Sequence, residues 1–225
     1  MTLAETAYDA LRRDIVRGVL APGKPLRMAQ LSERYGMGFS PLREALNRLQ
    51  AERLVTSIAL RGFSVAPLSM AEMWDTINTR VLIEQRALRL SIEQGGDDWE
   101  AGIVGALHSL MLQSARMAEA NADEQKLLED RHRGFHLALI AGCGSGWLLE
   151  FFQRLYVEAE RYRYPMLQQR SVEHHRDIQA EHDALSQAAL ARDANLACDL
   201  LAEHYLRTAR FIEAQMAAPP QVQTA

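Results

Sequence analysis

The sequence contains little cysteine and no long apolar segment, and each absence narrows the class of protein. Cys143 and Cys198 are its two cysteines in 225 residues. Two thiols do not build a disulfide framework, so the reducing cytoplasm is the expected compartment. No apolar run approaches the roughly 18 residues that a membrane-spanning helix needs. We therefore expect neither a disulfide scaffold nor a membrane segment.

An export signal is also missing from the N-terminal segment, MTLAETAYDALRRDIVRG. A signal peptide starts with basic residues and continues into an apolar core, whereas this segment is amphipathic with helical spacing. A cytoplasmic protein is therefore the prediction. The chain is long enough for one large domain or two small ones, with at least one hydrophobic core.

The motifs of common enzymes are missing as well. There is no P-loop, no convincing GxGxxG fingerprint and no Ser-His-Asp order. His132 and His136 are joined as HRGFH, which lacks the glutamate base of the HExxH zinc proteases. Glu129 and His132 form one ExxH, but a carboxylate di-iron bundle needs a second such motif and two further glutamates. The sequence predicts a binding protein and not an enzyme.

Charge is distributed unevenly along a chain whose net charge is −4. Residues 1–67 hold ten Lys and Arg against six Asp and Glu, whereas the remainder holds 15 against 23. A basic first third joined to an acidic remainder indicates two modules, of which the first meets a polyanion. Chance variation is the alternative that charge alone leaves open.

The basic part of the chain predicts three helices and a hairpin. AETAYDALRRDIVRG and RMAQLSERYG have helical spacing, and GVLAPGKPL between them is a predicted loop with two glycines and two prolines. In the third helix, Ser40 is the expected N-cap and Pro41 fits the first helical position. LVTSIALRGFSVAPL alternates β-forming residues around Arg61 and Gly62, which predicts a hairpin. This order is typical of a winged helix-turn-helix, whose last helix enters the DNA major groove.

The acidic part of the chain reads as helical throughout. Breaks at GGDD, near residue 122, at GCGSG, after Pro165 and at Arg192 divide it into six helices. Amphipathic helices with short connections pack as an all-α bundle. The predicted fold is therefore mainly α, with a winged helix-turn-helix and a six-helix bundle. We expect three segments: a DNA-binding domain over 1–68, a helical effector and dimerisation domain over 69–217, and a disordered tail over 218–225.

These segments resemble a known family of bacterial regulators. PGKPLRMAQLSERYGMGFSPLREALNRLQAERLV followed by RGFSVAPLS is similar to the N-terminal domain of GntR-type transcription regulators. TRVLIEQRAL, HRGFHLALIAGCGSGWLLEFF and EHDALSQAALARDANLACDLLAEHY resemble the FCD effector domain of the FadR-like branch. The resemblance covers nearly the whole chain. It implies a homodimer that binds double-stranded operator DNA and responds to a small metabolite, more often as a repressor.

The resemblance also implies which residues contact DNA. Arg43 matches the recognition-helix arginine of PLREAL, and Ser40 matches a small hydroxyl residue before it. Arg61 and Gly62 match the tip of the wing. Arg34 lies on the preceding helix, where it is expected to contact phosphate or, alternatively, to belong to a solvated helix face.

A metal centre is the second expectation from the resemblance. His132 and His136 lie four residues apart, so a helix places both rings on one face. In FCD domains an Asp and a His at this spacing join one His from each of two later helices. His136, His182 and His204 match the histidines, and His132 stands where the Asp would be. Four imidazoles suit Zn²⁺, Ni²⁺ or Cu²⁺, with Zn²⁺ or Ni²⁺ expected first. A polar effector pocket without metal is the alternative.

A metal held by nitrogen ligands keeps positions that an effector carboxylate can fill. Arg80 in TRVLIE matches an arginine near the family's pocket and is the candidate for a second carboxylate, bound in bidentate fashion. Its alternative role is an ion pair with Glu84, four residues further on. The expected effector is a small organic acid, such as a short dicarboxylate. Two other functions stay open: a regulator for which the metal itself is the signal, and a metal-dependent enzyme.

Overall fold

The computed structural model describes residues 1–58, 62–117, 122–167 and 177–217. Arg61 and the predicted tail over 218–225 lie outside the described residues. The chain divides into two compact units. The first consists of Met1–Asp75, Val157–Arg170 and Gln215–Ala225, and the second of Thr76–Tyr156 and Ser171–Ala214. The division of the sequence at residue 68 stays a prediction.

The first unit contains the helices and the hairpin of a winged helix-turn-helix. Its elements are α1 (Leu3–Val16), β1 (Pro25–Leu26), α2 (Met28–Tyr35), α3 (Phe39–Ala51), β2 (Val55–Ile58) and β3 (Gly62–Val65). The strands form an antiparallel sheet in the order β1-β3-β2, with Val55 opposite Val65 and Leu26 opposite Phe63. The predicted fold class is confirmed for this part. The predicted loop GVLAPGKPL, however, contains β1, because an edge strand tolerates Pro25 and two residues are too few to show a period.

Helix α3 begins two residues earlier than the sequence predicts. The predicted N-cap at Ser40 is wrong: the N-cap is Gly38, in an extended conformation, and Phe39 is the first helical residue. Pro41 is then the third residue of the helix. The reason is that none of the first four N–H groups has an intrahelical partner, so proline fits the first turn without marking its first position.

Burial of one side of α3 determines which of its residues face outward. Its apolar stripe is fully buried and packs with α1 and with part of α7 (Gly146–Leu167) in one core. The stripe consists of Leu42, Ala45, Leu46 and Leu49. Ser40, Arg43 and Asn47 are exposed on the other side of the helix. Because the apolar residues recur at helical spacing and are buried on one side, these three polar side chains face solvent on the other.

The second unit is built from helices. Besides the first half of α7, they are most of α4 (Met70–Gln94), α5 (Asp97–Ala115), α6 (Ala122–Ile140), α8 (Ile178–Leu190) and most of α9 (Ala194–Ala217), with a short 3-10 helix over Ala141–Cys143. The described residues after position 69 contain these six α-helices and no strand, as predicted. None of the described helices combines the length and the hydropathy that crossing a membrane requires.

Trp99 lies at the start of α5, close to the ends of α4 and α6. The Trp99 indole N–H donates to the carbonyl of Leu139 at 3.2 Å, near the end of α6. The Arg192 guanidinium lies 4.9 Å from the Trp99 ring and donates to the carbonyl of Ile92 at 2.6 Å, near the end of α4. These side chains satisfy carbonyl groups that the helix ends leave without intrahelical partners.

Gly95→Ala is expected to destabilise the second unit. A Cβ at Gly95 would lie 2.6 Å from the Trp99 ring and 2.6 Å from the carbonyl oxygen of Ser91. Overpacking of this kind lowers the free energy of unfolding by about 1–3 kcal/mol, measurable by urea denaturation. Gly105→Ala is the matched control, because nothing lies within 4 Å of its added Cβ. Equal stability of the two variants would contradict the tight packing at Trp99.

Candidate functional site

Three helices of the second unit bring four histidines together. His132 and His136 lie on one face of α6, His182 lies on α8 and His204 on α9. One ring nitrogen from each of the four histidines lies within 4.8 Å of the others. His136, His182 and His204 are buried and His132 is partly buried. The four histidines that the sequence singled out therefore form one cluster, which we call the histidine cluster.

Two of these rings face each other through their Nε2 atoms, which are 3.2 Å apart in His132 and His136. The ring centroids of His182 and His204 are 4.7 Å apart, and those of His132 and His182 are 5.1 Å apart. Two imidazole nitrogens bonded to one Zn²⁺ at about 2.0–2.1 Å are separated by about 3.3 Å in a tetrahedral shell. The spacing of His132 and His136 therefore suits two ligands of one ion.

The outer nitrogen of three of the histidines has a hydrogen-bond partner. His204 Nδ1 lies 2.9 Å from Glu181 Oε2. His132 Nδ1 lies 2.9 Å from the Tyr156 hydroxyl, and His136 Nδ1 lies 2.9 Å from the Tyr205 hydroxyl.

These contacts indicate which nitrogen faces the cluster in His132, His136 and His204. A metal-ligating histidine almost always uses its second nitrogen in this way, which orients the ring. When Nδ1–H donates outward, the Nε2 lone pair points inward. Lone pairs that face each other repel, so a cation between them suits His132 and His136. The donor set and its outer partners thus fit a divalent transition metal.

Arg80 lies in a buried ion pair behind His136. Its Nε donates to Glu84 Oε1 at 2.7 Å, and its Nη2 donates to the Tyr205 hydroxyl at 2.9 Å. Arg80 is 1% exposed and Glu84 is fully buried. The ion pair with Glu84, which the sequence left as the alternative, is present in the structure. Contact between Arg80 and an effector stays a prediction.

Sequence reasoning missed the outer partners of the histidine cluster. Glu181, which contacts His204, immediately precedes His182 in the sequence, and Glu129, which accepts from the Tyr156 hydroxyl, lies three residues before His132. Acidic residues close to histidines in the sequence were therefore a usable signal. Tyr205 follows His204 in the sequence, whereas no sequence spacing links Tyr156 with His132.

The first unit carries a groove between α2, α3 and the wing. Arg43 and Gly62, both predicted from the sequence, line it together with Arg27 and Asn47. Asn47 lies one turn after Arg43 on α3, a spacing from which it could have been predicted. Ser40 is exposed one turn before Arg43. The structure therefore places three of the predicted DNA contacts on or beside the exposed face of α3 and the wing.

Arg34 has a different environment from Arg43. Its Nη2 lies 3.3 Å from Asp14 Oδ2, and the Tyr35 hydroxyl donates to the same oxygen at 2.8 Å. Burial and then this hydrogen bond raise the pKa of Tyr35 well above its ordinary value, so the hydroxyl stays protonated. The Arg34 side chain is half exposed, and its contact with phosphate stays a prediction.

The first unit has the fold of a DNA-binding winged helix-turn-helix, and a helical part follows it in the chain. The family described as "Bacterial regulatory proteins, gntR family" matches residues 3–65, and the FCD domain matches residues 75–207. The chain belongs to the GntR family of bacterial transcription regulators, in the branch whose second domain is an FCD domain.

Similar proteins support this membership. The HTH-type transcriptional repressor GlaR of Escherichia coli (strain K12) is 41% identical over 213 residues, which cover 93% of this chain and 96% of GlaR. The uncharacterized regulator BphR of Paraburkholderia xenovorans (strain LB400) is 39% identical over 90% of this chain and 82% of its own length. The solved structure of E. coli McbR/YncC has a TM-score of 0.77 at 23% identity, covering 96% of this chain and 99% of that one. This last similarity supports the fold.

Proposed function

We propose that the protein is a repressor that binds operator DNA as a homodimer and responds to a small carboxylate at a metal in the histidine cluster. The convergence of His132, His136, His182 and His204 carries this proposal. The similar protein GlaR is named a transcriptional repressor, which supports repression rather than activation. A symmetric dimer is proposed because helix-turn-helix proteins place two recognition helices about one DNA turn apart.

Zn²⁺ or Ni²⁺ is the proposed occupant of the histidine cluster. Imidazole nitrogens suit these ions better than Mg²⁺ or Ca²⁺, which prefer oxygen. When the metal takes more than four ligands, positions remain beside the four nitrogens, and a carboxylate of the effector can bind there. A short dicarboxylate is the proposed effector, and Arg80 is the proposed contact for its second carboxylate. Effector binding would then favour one arrangement of the protein and change its affinity for DNA.

A thermal-shift screen tests the metal and the effector together. Chelator-treated protein is heated with mono- and dicarboxylates of two to six carbons, each with and without Zn²⁺ or Ni²⁺. We expect the metal to raise Tm, and a short dicarboxylate to raise it further when metal is present. A ligand at 100 times its Kd adds about 2.7 kcal/mol to the stability. Absence of any carboxylate shift in the presence of metal would contradict the effector proposal.

One observation favours a second function, in which the metal itself is the signal. Four imidazoles complete the shell of a tetrahedral Zn²⁺ and would leave no position for an effector. A DNA gel-shift titration distinguishes the two functions. Release of operator DNA by Zn²⁺ or Ni²⁺ alone supports the metal sensor, whereas release that requires a carboxylate supports the metabolite sensor.

A further inference from the structure

We propose that Tyr156 and Tyr205 are positioning residues that connect two metal-binding histidines with buried carboxylates and thereby determine metal affinity. The inference rests on the proposed metal centre. Tyr156 and Tyr205 are 1% and 3% exposed, and each hydroxyl lies 2.9 Å from the Nδ1 of one histidine, His132 and His136 respectively. Each hydroxyl also contacts a glutamate on its other side.

The direction of the hydrogen bonds follows from the glutamates. The Tyr205 hydroxyl donates to Glu84 Oε2 at 2.6 Å, and the Tyr156 hydroxyl donates to Glu129 Oε1. A tyrosine hydroxyl has one proton, and an ionised carboxylate can only accept. Once that proton points at the carboxylate, the hydroxyl oxygen must accept from the histidine. The proton of each imidazole is then on Nδ1, and Nε2 is the ligand atom.

Arg80 makes this assignment stronger at Tyr205. Its Nη2 donates to the Tyr205 hydroxyl at 2.9 Å, and its Nε donates to Oε1 of Glu84, the oxygen that Tyr205 does not contact. Guanidinium groups have no acceptor, so the Tyr205 oxygen is again the acceptor. The Tyr205 hydroxyl thus donates one hydrogen bond, to Glu84, and accepts two, from Arg80 and His136. It has no second proton to donate to His136. Arg80 therefore acts on the histidine cluster through Tyr205.

Carboxylates also lie just outside the histidine cluster, which itself contains no acidic ligand. All four candidate ligands are imidazoles, and none is a carboxylate. Glu129, which is 7% exposed, brings a carboxylate one hydroxyl away from His132, whereas the charge of Glu84 near His136 is balanced by Arg80. Glu181 contacts His204 directly. Outer carboxylates of this kind raise the basicity of the ligand and are worth about 10–100-fold in metal affinity.

Tyr156→Phe and Tyr205→Phe test the proposal because they remove the hydroxyl and keep the ring. Zn²⁺ affinity is measured on the full chain by competition with a chromophoric chelator. We expect each variant to bind Zn²⁺ about 10–100-fold more weakly, with circular dichroism that matches the wild type. Tyr162→Phe is the matched control. It is an equally buried tyrosine whose hydroxyl accepts from the Ser69 amide at 3.4 Å, in the first unit, and its Zn²⁺ affinity should be unchanged.

A measurement on the wild type keeps the proposal testable if a variant fails to fold. ¹⁵N NMR of the Zn²⁺-loaded chain should show His132 and His136 protonated at Nδ1 and ligated through Nε2. Ligation through Nδ1 would overturn the tyrosine connection, as would phenylalanine variants with wild-type affinity. If the wild-type chain takes up neither Zn²⁺ nor Ni²⁺, the metal centre itself is wrong, and the tyrosine connection is wrong with it.

Discussion

Replacing His136 with alanine is expected to abolish stoichiometric metal binding. His136 is 1% exposed, its Nε2 faces His132 at 3.2 Å, and its Nδ1 is oriented by Tyr205. Its removal takes away one of four ligands and leaves the Tyr205 hydroxyl without its imidazole partner. We expect the metal content after equilibrium dialysis against Zn²⁺ or Ni²⁺, measured by mass spectrometry, to fall from one ion per chain to background. The effector-induced Tm shift should disappear with it.

His108→Ala is the matched control for this experiment. His108 is an exposed histidine on α5 and is not a member of the histidine cluster. This variant should keep full metal content and the full response to a carboxylate. A His136→Ala chain that stays folded and still holds one ion would refute the assignment of His136 as a required ligand, because the three remaining imidazoles would then suffice. Circular dichroism of both metal-free variants separates loss of a ligand from loss of the fold.

The second large effect is expected at the recognition helix. Arg43→Ala should weaken binding to an operator selected in vitro from random DNA with the wild-type chain. Arg43 is exposed beside Gly62 in the groove of the first unit, where a guanidinium can form a bidentate contact with guanine. Loss of such a contact costs about 1–3 kcal/mol, or roughly 5–150-fold in Kd. Fluorescence anisotropy at fixed salt measures the change.

Two further variants separate base recognition from charge. Arg43→Lys keeps the positive charge but lacks the planar fork, so it should lose operator preference while retaining binding to unrelated DNA. Arg154→Ala removes one positive charge from an exposed ion pair with Glu150 on α7 and should leave operator affinity near the wild-type value. Unchanged operator affinity in Arg43→Ala would contradict the placement of this residue at the base edges.

The order of elements followed from local patterns in the sequence. Apolar residues at helical spacing, including Leu42 and Leu46, marked the helices, and their buried side determined that Arg43 faces outward. Glycine and proline breaks marked the ends. Errors occurred where the local signal is ambiguous: proline at position 41 fits anywhere in a first helical turn, and β1 is too short to show a period.

The sequence by itself determined the fold class, because helical spacing and the order of elements are local properties of the chain, and its motifs carried the family resemblance that implied the four histidines. The tertiary structure decided what surrounds those histidines. Tyr156 and Glu129 come together from separate helices, and Tyr205 of α9 contacts the Arg80–Glu84 pair of α4, a pair that its spacing of four residues already suggested. Such contacts depend on how helices distant in sequence pack, and hydrogen bonds between side chains have no periodic signature along the chain.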